Sequence, residues 1–132
     1  MQIFRNKRGA VQKMLNFTPH KIVLMKEKTR DVIVCIEPQG MPIRLNQQSL
    51  AAEPVVVDAA LIPCVGAPHY TGVAPMPPAD SSIIVSALVA EYLMRAHPTH
   101  CRRIFSPDTS PGACVRDDQG RIIGTTRLVR YK

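Results

Sequence analysis

The chain has 132 residues, of which 45% are apolar and 20% are charged, so it fits one globular domain rather than a disordered or fibrous protein. Its formal net charge is +7, and this positive field attracts anionic partners without identifying one. No apolar run approaches the ~18–20 residues that cross a bilayer, and no secretory signal is recognisable. We therefore expect a cytoplasmic protein that does not enter a membrane.

The basic residues are concentrated at the two ends of the chain. Residues 1–13 carry four basic and no acidic side chains, whereas folded-domain character begins at Met14. We expect a basic N-terminal extension over 1–13 and a single domain over 14–132, although an ordinary frayed terminus would have the same composition. The four cysteines are far apart in sequence and form no Cys-x-x-Cys pair, which is typical of reduced, mostly buried thiols.

The first elements of this domain are predicted to be short strands. Two β-rich runs, 21–25 and 31–36, flank a charged loop, a pattern that predicts a hairpin. A turn over 37–40 leads to a third strand over 41–45, confined to a sheet edge because Pro42 has no N–H to donate. A meander is the simplest arrangement of these three strands.

The middle of the chain gives weaker signals. We interpret 46–54 as a loop and 55–62 as a strand with Asp58 near its middle, or as a strand and a bend. Residues 63–80 contain five prolines and two glycines, which exclude a long helix or a central strand. We expect a long loop there that packs onto the domain or has a function.

The clearest pattern follows, where the apolar period changes at Ser86. Residues 83–85 form a continuous apolar run, typical of a buried strand, and apolar residues then recur at helical spacing. This predicts one principal helix over about 86–96, with Ser86 as its N-cap and Pro98 ending it. The predicted buried stripe comprises Val85, Leu88, Val89, Tyr92, Leu93 and Ala96.

The C-terminal third is predicted to be mostly strand. A strand over 101–105 is followed by a double turn over 106–112, and then by a hairpin whose loop places Gly120 at positive φ. Gly124 interrupts the last strand and indicates a bulge. The sequence therefore predicts an α+β fold with a small, mainly antiparallel sheet of short strands and one principal helix.

The sharpest candidate site is the start of the helix. If the strands on either side of it are parallel, the Ser86 turn and the 106–112 loop lie at the same end of the sheet, where open α/β sheets bind ligands. The helix N-terminus offers N–H groups to a phosphate or carboxylate. The alternative is that Ser86 only caps the helix, the loop residues only form turns, and the two strands are antiparallel. The candidate anion-binding residues are Ser86, Arg102, Arg103, Asp108, Thr109, Ser110 and Arg116.

Other chemistry has little support. His97, His100 and Cys101 are a compact set of possible zinc ligands, but a fourth ligand is missing, so a polar helix end is favoured. No nucleophile elbow, catalytic cysteine surround or phosphate-binding glycine loop occurs. We therefore predict no catalytic residue, no metal and no cofactor, and an enzyme is not favoured.

Nucleic-acid binding is a further alternative. Basic strands can follow a phosphate backbone. Yet Tyr131 is the only aromatic residue nearby, so a base-stacking platform is lacking, and solvated edge-strand charges would explain the same residues. The basic side chains on the last predicted strands are Arg116, Arg121, Arg127, Arg130 and Lys132.

Three segments resemble a group of small, uncharacterised bacterial and phage proteins. They are residues 16–20 (Asn-Phe-Thr-Pro-His), residues 84–90 (Ile-Val-Ser-Ala-Leu-Val-Ala), and residues 115–117 (Val-Arg-Asp) with 120–124 (Gly-Arg-Ile-Ile-Gly). The likeness covers roughly residues 14–126. It implies a phage or prophage accessory protein of mixed strand and helix, located in the bacterial host or in a virion, and it supplies no activity.

From these observations we expect a non-enzymatic binding or interaction protein, a phage or prophage accessory or structural component. Its partner is an unidentified protein or a second copy of the chain. The alternatives are a protein that binds a small anion such as a nucleotide, and a nucleic-acid-binding protein.

Overall fold

The computed structural model describes Gln2–Arg5 and residues 11–132, with side chains from Lys13 onward. The described residues form thirteen strands and one α-helix. In chain order these are β1 Gln2–Arg5, β2 Val11–Asn16, β3 Ile22–Met25, β4 Val32–Ile36, β5 Arg44–Gln48, β6 Ala51–Val57, β7 Ala60–Val65, β8 His69–Ala74, β9 Ser82–Ile84, α1 Ala87–Ala96, β10 Arg103–Pro107, β11 Cys114–Arg116, β12 Ile122–Thr125 and β13 Leu128–Arg130. The fold is α+β with many strands and little helix, and no helix in the described part is long and apolar enough to span a bilayer.

A five-stranded sheet, in the order β1-β2-β9-β10-β13, runs through the centre of the molecule. Its three inner strands are parallel, whereas β1 and β13 are antiparallel to their neighbours. The expectation of a mainly antiparallel sheet is therefore wrong for the best-buried strands. The reason is that α1 is a crossover that returns the chain to the same end of the sheet, which requires β9 and β10 to be parallel.

The predicted helix is confirmed at both ends. The Val89 N–H donates to Ser86 Oγ over 3.3 Å, which makes Ser86 the N-cap, and His97 is the C-cap. The buried stripe is narrower than predicted, because Leu88 is 55% exposed and Ala96 is also exposed. The helix residues that are buried are Val89, Ala90 and Leu93.

The central sheet has an apolar core on each face. Ile83 packs with the helix residues, whereas the next residue, Ile84, packs on the other side. This alternation follows from the period of two in a strand. The second core is covered by a four-stranded sheet in the order β11-β12-β3-β4, so the body has three layers: helix, central sheet and outer sheet.

The outer sheet contains both short hairpins that the sequence predicts. β3 pairs antiparallel with β4, and β11 pairs antiparallel with β12, where Gly120 has φ +80°. The irregularity predicted at Gly124 is present beside it: Val115 pairs with Gly124 and Arg116 with Ile122, so Ile123 is an extra residue on β12. Gly124 also allows a close approach, because a Cβ there would lie 2.9 Å from the Val23 carbonyl oxygen.

Residues 41–80 differ most from prediction. The third strand of the meander does not form; instead β5 pairs with β8 and β6 pairs with β7, so that 44–74 is one long hairpin, which we call the arm. Strands therefore replace most of the loop predicted over 46–54 and half of the loop predicted over 63–80. Asp58 lies in the two-residue turn with Ala59, where both φ angles are positive (49° and 64°), and not within a strand.

Residues 16–20, the first of the three segments that resemble small phage proteins, begin with Asn16, which is fully buried at the end of β2. Its Nδ2 donates to the carbonyls of His20 (2.8 Å) and Ile36 (3.0 Å). Its Oδ1 accepts from the backbone N–H and the hydroxyl of Thr18. One amide thus joins the 17–20 turn to the end of β4.

The predicted boundary at residue 13 falls inside β2 (Val11–Asn16), which pairs with β1. Met1 and residues 6–10 of the predicted extension lie outside the described residues. The division into an extension and a domain stays a prediction.

Candidate functional site

The outer half of the arm, β6 and β7 with their turn (residues 51–65), projects from the body; we call it the outer arm. Every residue of these two strands is exposed to solvent. The exposed fractions reach 66% for Val56, 68% for Leu61 and 81% for Val65. The inner half is anchored instead, because Leu45 and Val73 pack against the helix-side core.

Both faces of the outer arm are apolar. Val55 lies opposite Ile62 and Val56 lies opposite Leu61. Because directly opposed residues share a face and adjacent residues alternate, the first pair lies on one face of the ribbon and the second pair on the other. A strand with two apolar faces is typical of a strand that is covered on both sides. In the structure the outer arm is covered on neither.

The charge of this region opposes that of the rest of the chain. Residues 50–65 contain two charged side chains, Glu53 and Asp58, and no basic residue, which gives −2. Since the whole chain is +7, the remaining residues carry +9. A weakly acidic, apolar arm therefore extends from a basic body.

The outer sheet carries an apolar groove of about 310 Å³. Ile122 and Ile123 form part of its wall and are both exposed, whereas His20 and Lys21 supply polar groups. The complete lining is His20, Lys21, Ile22, Val23, Pro107, Thr109, Cys114, Ile122, Ile123, Gly124 and Thr125.

The predicted anion site begins at Ser86, which lines a shallow depression of about 300 Å³ beside the helix N-terminus. Arg44 of β5 and Thr18 line the same depression. β9 and β10 are parallel, so the Ser86 turn and the 106–112 loop do follow the same ends of the strands. Thr109 of that loop nevertheless lines the outer-sheet groove, on the other side of the central sheet from the helix.

Arg102 and Arg103 lie at the opposite end of the parallel strands. Arg103 pairs with Ser82, the first residue of β9, which places it about 13 Å along the strand from Ser86. Its guanidinium donates to the Arg102 carbonyl at 3.0 Å. These two arginines do not converge with Ser86.

The remaining candidates make local contacts. Asp108 accepts from the Ser110 N–H at 3.0 Å and forms an ion pair with Arg127, in which the Nε–Oδ2 distance is 2.6 Å. The Arg127 hydrogen bond and those from Ser110 lower the pKa of Asp108 to about 2. Arg116 donates to the Gly120 carbonyl at 2.7 Å. The predicted residues thus form several small groups rather than one pocket.

Sequence reasoning missed Arg44 and the ion pair that Arg127 forms. Arg44 reaches the Ser86 depression because the arm returns to the helix, and no sequence signal indicates that long-range contact. The sequence places Arg127 among the basic residues of a possible phosphate-contacting strand, whereas it is the ion-pair partner of Asp108. The sequence shows that Arg127 and Asp108 have opposite charges, but not that the hairpin between them brings the two side chains together.

The His97–Cys101 segment has structural contacts. His100 Nε2 lies 2.6 Å from the Pro77 carbonyl oxygen, which ties the segment to the chain before β9. Cys101 is buried, and burial raises the pKa of its thiol. Over the part of the chain that the structure describes, no three His, Cys, Asp or Glu side chains come together as a metal site.

The basic residues near the C-terminus are largely engaged within the protein. Arg121 pairs with Asp117, whose pKa is lowered chiefly by a hydrogen bond from the Arg121 backbone N–H. Lys132 Nζ donates to the carbonyls of Pro98 and Cys101. With Arg116 and Arg127 also hydrogen-bonded, these side chains would exchange internal partners for phosphates in any nucleic-acid complex.

No protein-family model, curated protein or solved structure matches the chain. The resemblance to small phage proteins rests on its three short segments alone and stays a prediction. What the protein does must therefore be inferred from its own geometry, in which the outer arm is the largest unexplained feature.

Proposed function

We propose that the protein is a non-enzymatic interaction protein, a phage or prophage accessory or structural component, and that the outer arm is its binding surface. The observation that carries this proposal is the exposure of both apolar faces of β6 and β7. Contiguous exposed apolar surface of this kind is typical of protein–protein contacts.

The stability of the arm supports the same proposal. A two-stranded hairpin without a third strand or a helix to pack against is marginally stable in water. The outer arm has Pro54 at an irregular part of its register and has Ala59 at positive φ, both of which weaken an isolated hairpin. A partner that covers the arm would remove its apolar side chains from water and hold this conformation.

The test compares wild type with V56K/L61K, which places two charges on one face of the outer arm. L88K is the matched control, because Leu88 is similarly exposed but lies on α1. The tagged proteins are purified from their natural host, candidate partners are made recombinantly, and binding is measured with purified components. We expect V56K/L61K to weaken binding at least 100-fold and L88K to leave it unchanged. Equal binding by all three proteins would contradict the proposal.

A second candidate function is the binding of a small anion, such as a nucleotide or phosphate, beside the start of α1. The observation that favours it is the presence of Arg44 in the same depression as Ser86, next to the N–H groups of the first helical turn. A thermal-shift series with phosphate and nucleotides tests it, since a ligand at 100 times its Kd adds about 2.7 kcal/mol to stability. No shift in wild type, or an equal shift in R44Q, would contradict it.

A further inference from the structure

We infer that the occupant of the outer arm is a second copy of this chain, whose basic body receives the arm in its outer-sheet groove. The inference rests on the proposed function and names its partner. The juxtaposition that carries it is an acidic apolar arm and, on the basic body of the same chain, an apolar groove whose one charged lining residue is Lys21.

Charge favours contact between arm and body over contact between two arms. Residues 50–65 carry −2 and the rest of the chain +9, so two arms repel each other whereas an arm and a body attract. Lys21 lines the groove and offers a cation to Glu53 or Asp58 of an incoming arm.

The arm offers apolar area on both of its faces. The exposed surface of its large aliphatic side chains amounts to roughly 700 Å² over the two faces together, against the ~800 Å² that each partner contributes to a standard interface. If each chain both gives and receives an arm, with one face covered at each contact, the two contacts together approach the standard size. The side chains counted are Leu50, Val55, Val56, Val57, Leu61, Ile62 and Val65.

The groove provides apolar surface for part of one face of the arm. Ile122 and Ile123 are 54% and 44% exposed on β12, and Pro107 and Val23 extend the apolar lining. The arm leaves the body on the helix side, where Leu45 and Val73 are anchored, whereas the groove lies on the outer sheet. Because one chain presents the two surfaces on different layers, they suit contact between separate copies.

The first experiment measures the mass of the purified full-length protein by light scattering between about 5 and 500 µM. We expect wild type and L88K to form the same oligomer, and V56K/L61K and I122K/I123K to be monomeric over this range. Circular dichroism verifies that the variants are folded. A monomeric wild type at all concentrations would overturn the inference, as would an oligomer that V56K/L61K leaves intact.

The second experiment locates the contact without disrupting it. A photo-reactive benzoylphenylalanine replaces Val56, and isotope-labelled and unlabelled chains are mixed so that cross-links between copies can be identified. We expect cross-links from position 56 to residues 20–23 or 122–125 of another copy. Cross-links confined to 50–65 of another copy would overturn the inference by indicating contact between arms.

The two proposals can fail separately. A wild type that stays monomeric, but binds a different purified protein through an arm sensitive to V56K/L61K, overturns the second-copy inference and supports the proposed function. Arm variants that change neither oligomeric state nor any binding overturn both.

Discussion

Replacing the buried amide of Asn16 tests how the body is held together. N16D keeps the size of the side chain but replaces the Nδ2 donor by a second oxygen acceptor. The carbonyls of His20 and Ile36, now 2.8 and 3.0 Å from that donor, would face a carboxylate oxygen. The Ile36 hydrogen bond is buried, and Asn16 has no exposed surface, so water cannot replace the lost donor to the Ile36 carbonyl.

The magnitude follows from these contacts. The buried Ile36 carbonyl left without a donor gives a loss of about 1–3 kcal/mol, whereas the His20 carbonyl keeps the Thr18 hydroxyl as a donor at 2.9 Å. Stability for a chain of this size is of the order of 7–20 kcal/mol, so a loss of this size is measurable. The control T18V removes one hydroxyl donor to Asn16 Oδ1 and leaves the Nδ2 contacts in place. It should cost about 1 kcal/mol.

Urea unfolding, followed by circular dichroism at pH 7 and pH 5, measures both variants. Burial favours the protonated form of the new carboxyl, so its folded pKa should lie above the ~3.9 of an unfolded Asp. The folded state then binds more protons than the unfolded state, and the penalty of N16D should shrink as the pH falls from 7 to 5. A loss for N16D no larger than that for T18V, or a penalty that grows at pH 5, would refute this account of Asn16.

Three further predictions concern single positions. G124A should lower the free energy of unfolding by about 1–3 kcal/mol, because its Cβ meets the Val23 carbonyl. G120A is the comparison: its Cβ meets nothing within 4 Å, so only the strain of an L side chain at a φ of +80° should destabilise it, by about 1 kcal/mol. Urea midpoints compare the two, and an unchanged midpoint for G124A would contradict the packing reason. S86A should cost about 1 kcal/mol in the same assay, since it removes the N-cap acceptor of the Val89 N–H, and an unchanged midpoint would show that the cap contributes nothing. D108N should lower the Tm at pH 5 but not at pH 2. The pKa of Asp108 is about 2 against an ordinary 3.8, so the stability that its ionised form contributes is present above about pH 4 and is lost towards pH 2. A difference in Tm that persists at pH 2 would contradict the assignment to the Arg127 ion pair.

Local patterns predicted the local elements. The helix, its Ser86 cap and the two short hairpins of the outer sheet depend on residues close together in the chain, and the structure confirms them. The parallel arrangement of β9 and β10, which the candidate anion site required, is also present. The pairing of β2 with β9 was not predictable in the same way, because the two strands are separated by more than sixty residues and no local pattern encodes their order.

The candidate site was only partly predictable for a related reason. Ser86 and Asp108 were identified as residues at strand ends, and the structure places both there. Which face of the sheet each one serves depends on packing: the helix covers one side and the outer sheet the other, so the Ser86 depression and the Thr109 groove are separate. Arg44 joins Ser86 through the anchored half of the arm, a contact that sequence spacing does not reveal.

The arm shows why an exposed apolar strand resembles a buried one. Val55, Val56 and Val57 form a continuous apolar run, which the period-two rule assigns to a strand covered on both faces. The turn at Asp58–Ala59 lacks the Gly or Asn that marks most such turns, so the run could not be divided with certainty into two strands. The apolar pattern predicts that both faces of the strand are covered, but it does not indicate which chain covers them. In the structure the chain's own body leaves them exposed, which is why we propose that another molecule provides the covering surface.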